Sequence, residues 1–320
     1  MLVVRGGAET PDAARGAVIA IGNFDGVHRG HQALIADVRS RASALGAPAG
    51  VMVFEPHPRE FFQPSEPHFH LTPLQLKLEC FADLGLDLAV VAAFDRALAS
   101  LPAEEFIAER LVGALAPRHV VIGYDFFFGK GRSGSPETVR RAGERFGFGV
   151  TVVAPVAEDG EVFSSTAIRL KLAQGDVHGA TAALGRLWRV TGTVVGGARR
   201  GTGLGFPTAN IALEPGTALA HGIYAVFAEV DGIRHPAAAY LGTRPTFDNG
   251  APLLEVFLLD FDGDLYGRQL SVAFVEHLRA DRRFDTIEAL KAQMLVDCDA
   301  ARRVLAKAVH LASRCGAGAA

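Results

Sequence analysis

Cysteine is scarce in this chain: 3 in 320 residues, at Cys80, Cys298 and Cys315. An odd number, with no CxxC pair and no histidine pattern nearby, points away from a disulfide framework and a zinc site and toward a reducing compartment. An excess of charge of one sign is also missing. The chain has 32 Lys and Arg against 35 Asp and Glu, a net charge of −3 and a pI near 6.4. That balance argues against a general nucleic-acid or membrane-surface binder. No apolar run approaches the ~18 residues of a membrane span. Met1 to Asp12 lacks the basic-then-apolar layout of a signal peptide. The cytoplasm is therefore the expected location. There is no internal repeat, and low complexity is confined to the Gly/Ala tail from Gly316. The glycine-rich stretch 192–210 is neither a Walker A motif nor a GxGxxG fingerprint.

What remains is ordinary globular composition, 49% apolar and 21% charged, with room for two domains. From residue 17 to about 155 the pattern alternates strand and helix, which predicts a parallel sheet covered by helices. Strands are expected at 17–21, 49–54, 86–93, 119–123 and 150–154, and helices at 32–45, 103–115 and 136–146. Another helix should start at Thr72-Pro73-Leu74-Gln75, with Thr72 as N-cap and Gln75 closing a capping box. Two helices, at 166–174 and 176–184, lead to a change of texture near 186. Beyond it, short Gly- and Pro-punctuated strands at 190–195, 222–230, 235–241, 253–260 and 269–277 predict an antiparallel barrel or sandwich. A last helix should start at Asp285, with Glu288 completing its cap. The expected division is 1–185 and 186–320.

The most specific stretch is Gly22-Asn23-Phe24-Asp25-Gly26-Val27-His28-Arg29-Gly30-His31. It closes a buried strand and opens a helix. That turn lies at the carboxyl edge of a parallel sheet, where ligands bind. Backbone N–H groups and the helix N-terminus favour an anion there, usually a phosphate, and His28 and His31 would add donors. This stretch resembles the nucleotidyltransferase half of bacterial bifunctional riboflavin kinase/FMN adenylyltransferases (FAD synthetases). Residues 54–58 (FEPHP), 123–132 (GYDFFFGKGR) and 164–169 (SSTAIR) match the same family. The resemblance implies a Rossmann-like fold in which FMN's phosphate attacks the α-phosphate of ATP. That nucleophile is already an anion, so catalysis rests on in-line positioning and charge neutralisation. His28 and His31 would meet the transferring phosphate, and Arg169 would clamp the pyrophosphate. Gly22, Asn23, Phe24, Asp25, Asp125, Phe128, Ser164 and Thr166 would bind substrate or nucleotide, and one or two of Phe126, Phe127 and Phe128, with which ones left open, would stack on flavin. Of Phe126, Phe127 and Phe128, not all can face inward on a strand. Two positions depart from the family pattern: Ala167 replaces a frequent Arg, and Leu187-Trp188 a frequent Pro-aromatic pair.

The second half opens with a glycine-rich window, 192–205, followed by Phe206-Pro207-Thr208-Ala209-Asn210. Glycines at this density give a loop whose backbone can approach phosphates. Pro207-Thr208-Ala209-Asn210 is similar to the riboflavin kinase signature, which implies a six-stranded barrel. By that resemblance Thr208 and Asn210 hold the magnesium of ATP, as hydroxyl and amide oxygens suit a hard cation. Gly196, Arg200, Gly203, Phe206 and Pro207 would bind nucleotide and substrate. Glu255 is one carboxylate inside the apolar run 253–260, costly there unless it has a task. Its implied role is general base for the ribityl hydroxyl that attacks the γ-phosphate. Residues 242–247 and 261–267 also match the family. Arg282, Arg283 and Phe284 lie where it places a flavin-covering loop. The expected activity is riboflavin to FMN and then FMN to FAD, with ATP, riboflavin and FMN as partners and Mg2+ as cofactor. Nucleic acid and membrane are not expected partners, and the chain is expected as a monomer or a weak homo-oligomer. Alternatives are one inactive half, or a flavin-binding sensor without turnover.

Overall fold

The computed structural model describes residues 1–6, 10–196, 206–243 and 252–311. They form two compact units, Met1–Ser165 and Thr166–Ala320. The first is a six-stranded, all-parallel sheet. Its strands are β1 (Leu2–Arg5), β2 (Val18–Ile21), β3 (Ala49–Glu55), β4 (Leu88–Ala93), β5 (His119–Gly123) and β6 (Gly149–Val153), in the order β1-β4-β3-β2-β5-β6. The strand β1 did not stand out in the sequence because it is four residues long and lies at an edge.

β2 is central and buried along its whole length. Ile19 and Ile21 join Val120, Ile122, Ile107, Leu111 and Val139 in one core cluster. Val18 and Ala20 alternate to the other face. Burying a side chain of this size contributes about 1.5–3 kcal/mol, which fixes β2 as the frame for the turn that follows it. From β2 the chain runs through α1 (Arg29–Leu45) to β3 on one side, while β5 lies on the other. The strand order therefore reverses beside β2, the place where doubly wound sheets open a crevice. The remaining helices are α2 (Pro58–Phe62), α3 (Leu74–Asp83), α4 (Arg96–Ser100), α5 (Ala103–Glu105) continuing as π-helix over Phe106–Gly113, and α6 (Pro136–Phe146). A small hairpin, β7 (Ala157–Glu158) and β8 (Glu161–Val162), follows β6.

The second unit takes in α7 (Ser165–Ala173) from Thr166 onward, then α8 (Val177–Leu184) and a closed antiparallel barrel in the order β10-β13-β12-β11-β14-β9. The strands are β9 (Arg189–Val195), β10 (Ala209–Ala212), β11 (Gly222–Val230), β12 (Ile233–Thr243), β13 (Pro252–Leu258) and β14 (Gln269–Ala280). The compact unit begins about twenty residues before the change of texture at 186. The reason is that α7 and α8 belong with the barrel: Ala220 N–H donates to Leu172 O at 3.0 Å and α8 packs on β14. Trp188 is buried and stacks on Phe274, so the Leu187-Trp188 departure is absorbed as core. The final helix, α9 (Ile287–Lys307), sets Cys298, Ala301 and Leu305 against Ala225, Phe227, Ala273 and Val275. Cys80 and Cys298 are both buried and neither is in a disulfide, and burial pushes the Cys298 thiol up to about 11.

Two expected helix caps are corrected. The N-cap of α3 is Pro73, not Thr72: Pro73 is itself extended (ψ 156°) and its carbonyl accepts the first helical bond, from Lys77 N–H at 2.9 Å, while the Thr72 N–H that a capping box would use goes to the Asp25 carboxylate. The N-cap of α9 is Thr286, not Asp285; its hydroxyl accepts from Ala289 N–H.

Candidate active sites

The turn after β2 is held in a costly shape. Phe24 (φ 51°), Gly26 (φ 86°) and Val27 (φ 43°) all lie in the left-handed region. Only glycine enters it freely, so Phe24 and Val27 carry strain of about 1–3 kcal/mol each. Five hydrogen bonds over-determine the shape. Lys77 Nζ donates to Asn23 O at 2.9 Å, and Ser165 Oγ donates to Asp25 O at 2.8 Å. Gln32 Nε2 donates to Val27 O at 2.9 Å. The buried Asp25 carboxylate accepts from Thr72 N–H at 3.0 Å and Leu71 N–H at 3.2 Å.

His28 is the N-cap of α1. Its Nδ1 accepts from His31 N–H at 3.4 Å, which in the neutral ring leaves the proton on Nε2 as a donor. The ring can fold back because residue 30 is glycine: a Cβ there would sit 3.1 Å from the imidazole. The two imidazoles stack with centroids 3.6 Å apart, and the Phe24 ring lies 5.0 Å from His31. Burial holds the His31 imidazole neutral, well below its usual range, helped by His28 and Lys77. His31 Nδ1 is buried with no hydrogen-bond partner. The first N–H groups of α1 have no partners within the helix. The result is an anion site at a helix N-terminus in which His31 is a neutral group.

Arg29 does not join these donors. It pairs with Glu158 and lies 4.9 Å from the centre of the Phe163 ring, clasping the β7–β8 hairpin. Asp125 is exposed in the turn after β5, the strand beside β2, so both turns leave the same sheet edge. Phe128 is not free to stack on a ligand: it is core, packed between Phe126 and Phe106. Phe127 is the exposed ring of the three. Ser164 precedes α7, Thr166 is exposed in its first turn, and Arg169 is one turn beyond Ser165.

At the end of β3, His57 caps α2. Its Nδ1 accepts from Arg59 N–H, while Glu60 accepts from His57 N–H. The His57 ring stacks on the buried His68, and His70 pairs with Glu60. Burial and then the neighbouring His68 lower His57 to about 4. Three glutamates and His68 line an adjacent cleft of 460 Å³. Among the described residues no three His, Cys, Asp or Glu side chains gather as a metal site.

In the barrel, register does the positioning. Asn210 on β10 lies directly opposite Glu255 on β13, and Glu255 opposite Tyr240 on β12. Ala209, Ile211, Leu254 and Val256 are buried inside the barrel, so this row takes the outer face. Tyr240 Oη donates to Asp281 at 3.0 Å, tying in the segment between β14 and α9. In that segment Phe284 is flanked by the Arg279 and Arg282 guanidiniums, and Arg279 is bound bidentately to the buried Asp297. Asn210 is 4% exposed, and its Oδ1 has no hydrogen-bond partner. A buried acceptor without a donor costs about 1–3 kcal/mol. Its neighbour at 208 offers a hydroxyl. This donor set fits a hard cation. Phe206 is packed edge-on against Phe257, so it anchors the strand start and is not an open binding surface. Pro207 and Gly196 are exposed. Arg200 and Gly203 lie outside the described residues.

Sequence reasoning passed over Lys77 and Ser165. Lys77 had a signal, since it falls on the apolar stripe Leu74, Lys77, Leu78, Phe81 at i, i+3, i+4, i+7. Ser165 lay within a matched motif but was indistinguishable from its neighbours.

Known proteins match both units. The family described as FAD synthetase matches residues 10–167, and that described as riboflavin kinase matches residues 184–305. The bifunctional riboflavin kinase/FMN adenylyltransferase of Pseudomonas fluorescens is 42% identical over 97% of this chain and 100% of its own length. That of Escherichia coli K12 is 40% identical, covering 88% of this chain and 90% of its own. A crystal structure from Streptococcus pneumoniae, titled a macrolide-efflux protein, superposes with a TM-score of 0.83 at 28% identity, over 94% of this chain and 99% of that one. Among the described residues no helix is long and apolar enough to cross a membrane. A nucleotidyltransferase unit joined to a flavokinase barrel defines the class. The chain belongs to the bifunctional riboflavin kinase/FMN adenylyltransferase family.

Proposed function

We propose that this chain makes FAD in two ATP-dependent steps, with the kinase reaction on the barrel and adenylyl transfer on the parallel sheet. The division of labour is 186–320 for the first and 1–185 for the second. The observation that carries the reading is that each matched half holds its own donor set: stacked imidazoles, His31 among them held neutral by burial, at a helix N-terminus in one, and a buried orphan amide oxygen facing a carboxylate in the other.

In the first step the terminal hydroxyl of riboflavin's ribityl chain attacks the γ-phosphorus of ATP. Glu255 takes its proton, a new O–P bond forms, and the bond to ADP breaks. Thr208 and Asn210 would hold Mg2+, which supplies charge neutralisation at the ATP phosphates. Gly196, Arg200, Gly203 and Pro207 border the nucleotide, and Phe206 sets the strand that carries Thr208 and Asn210. In the second step an FMN phosphate oxygen attacks the α-phosphorus of ATP in line, and pyrophosphate leaves. His28 and His31 donate to the α-phosphate oxygens, and the strained turn from Gly22 through Asp25 shapes the cradle. Asp125, Ser164 and Thr166 orient the nucleotide, and Arg169 meets the charge developing on pyrophosphate. No base is needed, because the nucleophile is already ionised.

The test is chromatography of the flavin products. Wild-type protein with riboflavin, ATP and Mg2+ is expected to form FMN and then FAD. Glu255→Ala should abolish FMN formation yet still adenylylate supplied FMN, and the His28→Ala/His31→Ala pair should do the reverse. Loss of both activities in either variant would sink the two-site reading.

A further inference from the structure

Lys77 is the only buried lysine among the described residues, with 3% of its surface exposed. It sits on the stripe by which α3 packs, where a hydrophobic side chain would serve packing better. Burying an ammonium is expensive unless it is paired and has a task. Its partners come from several elements. Nζ donates to Asn23 O at 2.9 Å, in the turn after β2. The carboxylates of Asp25 in that turn, Glu55 at the end of β3 and Glu60 in α2 favour its charge, while burial lowers its pKa. On the other side, its charge lowers the pKa of both His31 on α1 and His57 at the start of α2. The residue it binds immediately precedes Phe24, the first strained position of the turn.

We propose that Lys77 is a positioning residue for adenylyl transfer: its hydrogen bond to Asn23 and its buried charge hold the phosphate-binding turn in its strained, working shape. This rests on the reading of the first unit given above. The hydrogen bond pins the carbonyl end of the turn, as Ser165 and Gln32 pin its later carbonyls. The charge disfavours a proton on His31, whose ring stacks on His28 with centroids 3.6 Å apart. Lys77 itself touches no reacting atom in this scheme.

The experiment uses the full chain and measures both activities in one preparation. Lys77→Met is expected to lower kcat for FAD formation from supplied FMN by on the order of 100-fold, the cost of a displaced reacting group. KM for FMN should change little, and FMN formation from riboflavin should not change. Lys77→Arg should recover most of the rate. In Lys77→Met the acid-side inflection of kcat should move to higher pH, because His31 and His57 lose a nearby positive charge. A role in packing alone would not move it. If Lys77→Met does not fold, Lys77→Gln, which keeps a donor for Asn23 but not the charge, tests the charge alone, and its acid-side inflection should move in the same direction. A folded, kinase-active variant with wild-type FAD formation, or with its inflection in place, overturns the proposal. Wild-type protein that makes FMN but no FAD overturns the reading of the first unit instead.

Discussion

The two candidate sites achieve order by different means. In the first unit the site is a loop, and loops have no ladder to hold them. Its shape depends on bonds from distant segments: Lys77 to Asn23, Ser165 to Asp25, and Asp25 to Leu71 and Thr72. In the barrel, Asn210, Glu255 and Tyr240 are neighbours because three strands pair in register. The backbone ladder alone fixes their spacing, at the ~5 Å of adjacent strands. Each design also leaves one buried polar atom without a partner, His31 Nδ1 in one and Asn210 Oδ1 in the other. A strained loop can be damaged from far away. A row on a barrel wall is damaged chiefly at the row itself.

The largest effect that separates the two designs belongs to the barrel's orphan atom. Asn210→Ala should lower kcat for FMN formation on the order of 100-fold or more, the several kcal/mol a metal contributes at a phosphoryl group. It should raise the Mg2+ concentration needed and leave unfolding of the barrel almost unchanged. An unchanged Mg2+ dependence in a folded variant would remove Asn210 from the metal. In the loop design the matching effect comes from a turn side chain that reaches out to the start of α3. Asp25→Asn weakens two bonds to a charged acceptor, worth about 1.5–3 kcal/mol each at most. Denaturant titration should show the first unit destabilised, and FAD formation should fall while FMN formation stays intact. If Asp25→Asn costs neither stability nor FAD formation, the loop is held by something else.

Protons offer a smaller test. His57 is held neutral in the fold, at about 4 against an ordinary 6.5. As pH falls below 6.5 the unfolded chain binds the proton first, so stability from this group is complete above 6.5 and drains away toward 4. Partial exposure trims the effect to ~1–2 kcal/mol. His57→Asn keeps a capping acceptor but does not titrate. Its first unit should lose less stability than wild type between pH 6.5 and 4, and equal losses would assign the drop to other groups.

Legibility in the sequence followed the same division. β2, the turn and α1 were readable because a buried apolar run, glycines and a helical stripe lie within 30 consecutive residues. The alternating pattern gave the parallel sheet, and the short punctuated strands gave the barrel. Contacts between distant segments were not readable. The cap of α3 failed because the chain stays extended through Pro73, and the Thr72 N–H that a capping box needs goes to Asp25, 47 positions away. The local pattern leaves open which of Phe126, Phe127 and Phe128 is core, because it is Phe106, 22 positions away, that closes over Phe128. Glu255 stood out as a charge in an apolar strand, but its position opposite Asn210 depends on register, which alternation alone leaves open. Lys77 carried the same kind of signal on a helix and was overlooked there.

The smallest effect concerns the start of α9, where two adjacent residues both suit the cap. Asp285 with Glu288 three residues on has the spacing of a capping box, which is why the sequence favours it. The backbone decides otherwise. Thr286 has the extended conformation of an N-cap (φ −134°, ψ 155°), and its hydroxyl accepts from Ala289 N–H at 3.1 Å. Thr286→Ala should therefore cost about 1 kcal/mol in barrel stability, and Asp285→Ala should cost less. Because α9 packs on the barrel wall and supplies Asp297 to Arg279, the loss belongs to folding and not to the row at Glu255. kcat for FMN formation should stay at its wild-type value while the melting temperature falls. A drop in kcat at unchanged stability would mean that the segment between β14 and α9 acts on the site directly, and that the barrel site, like the loop site, is held from a distance.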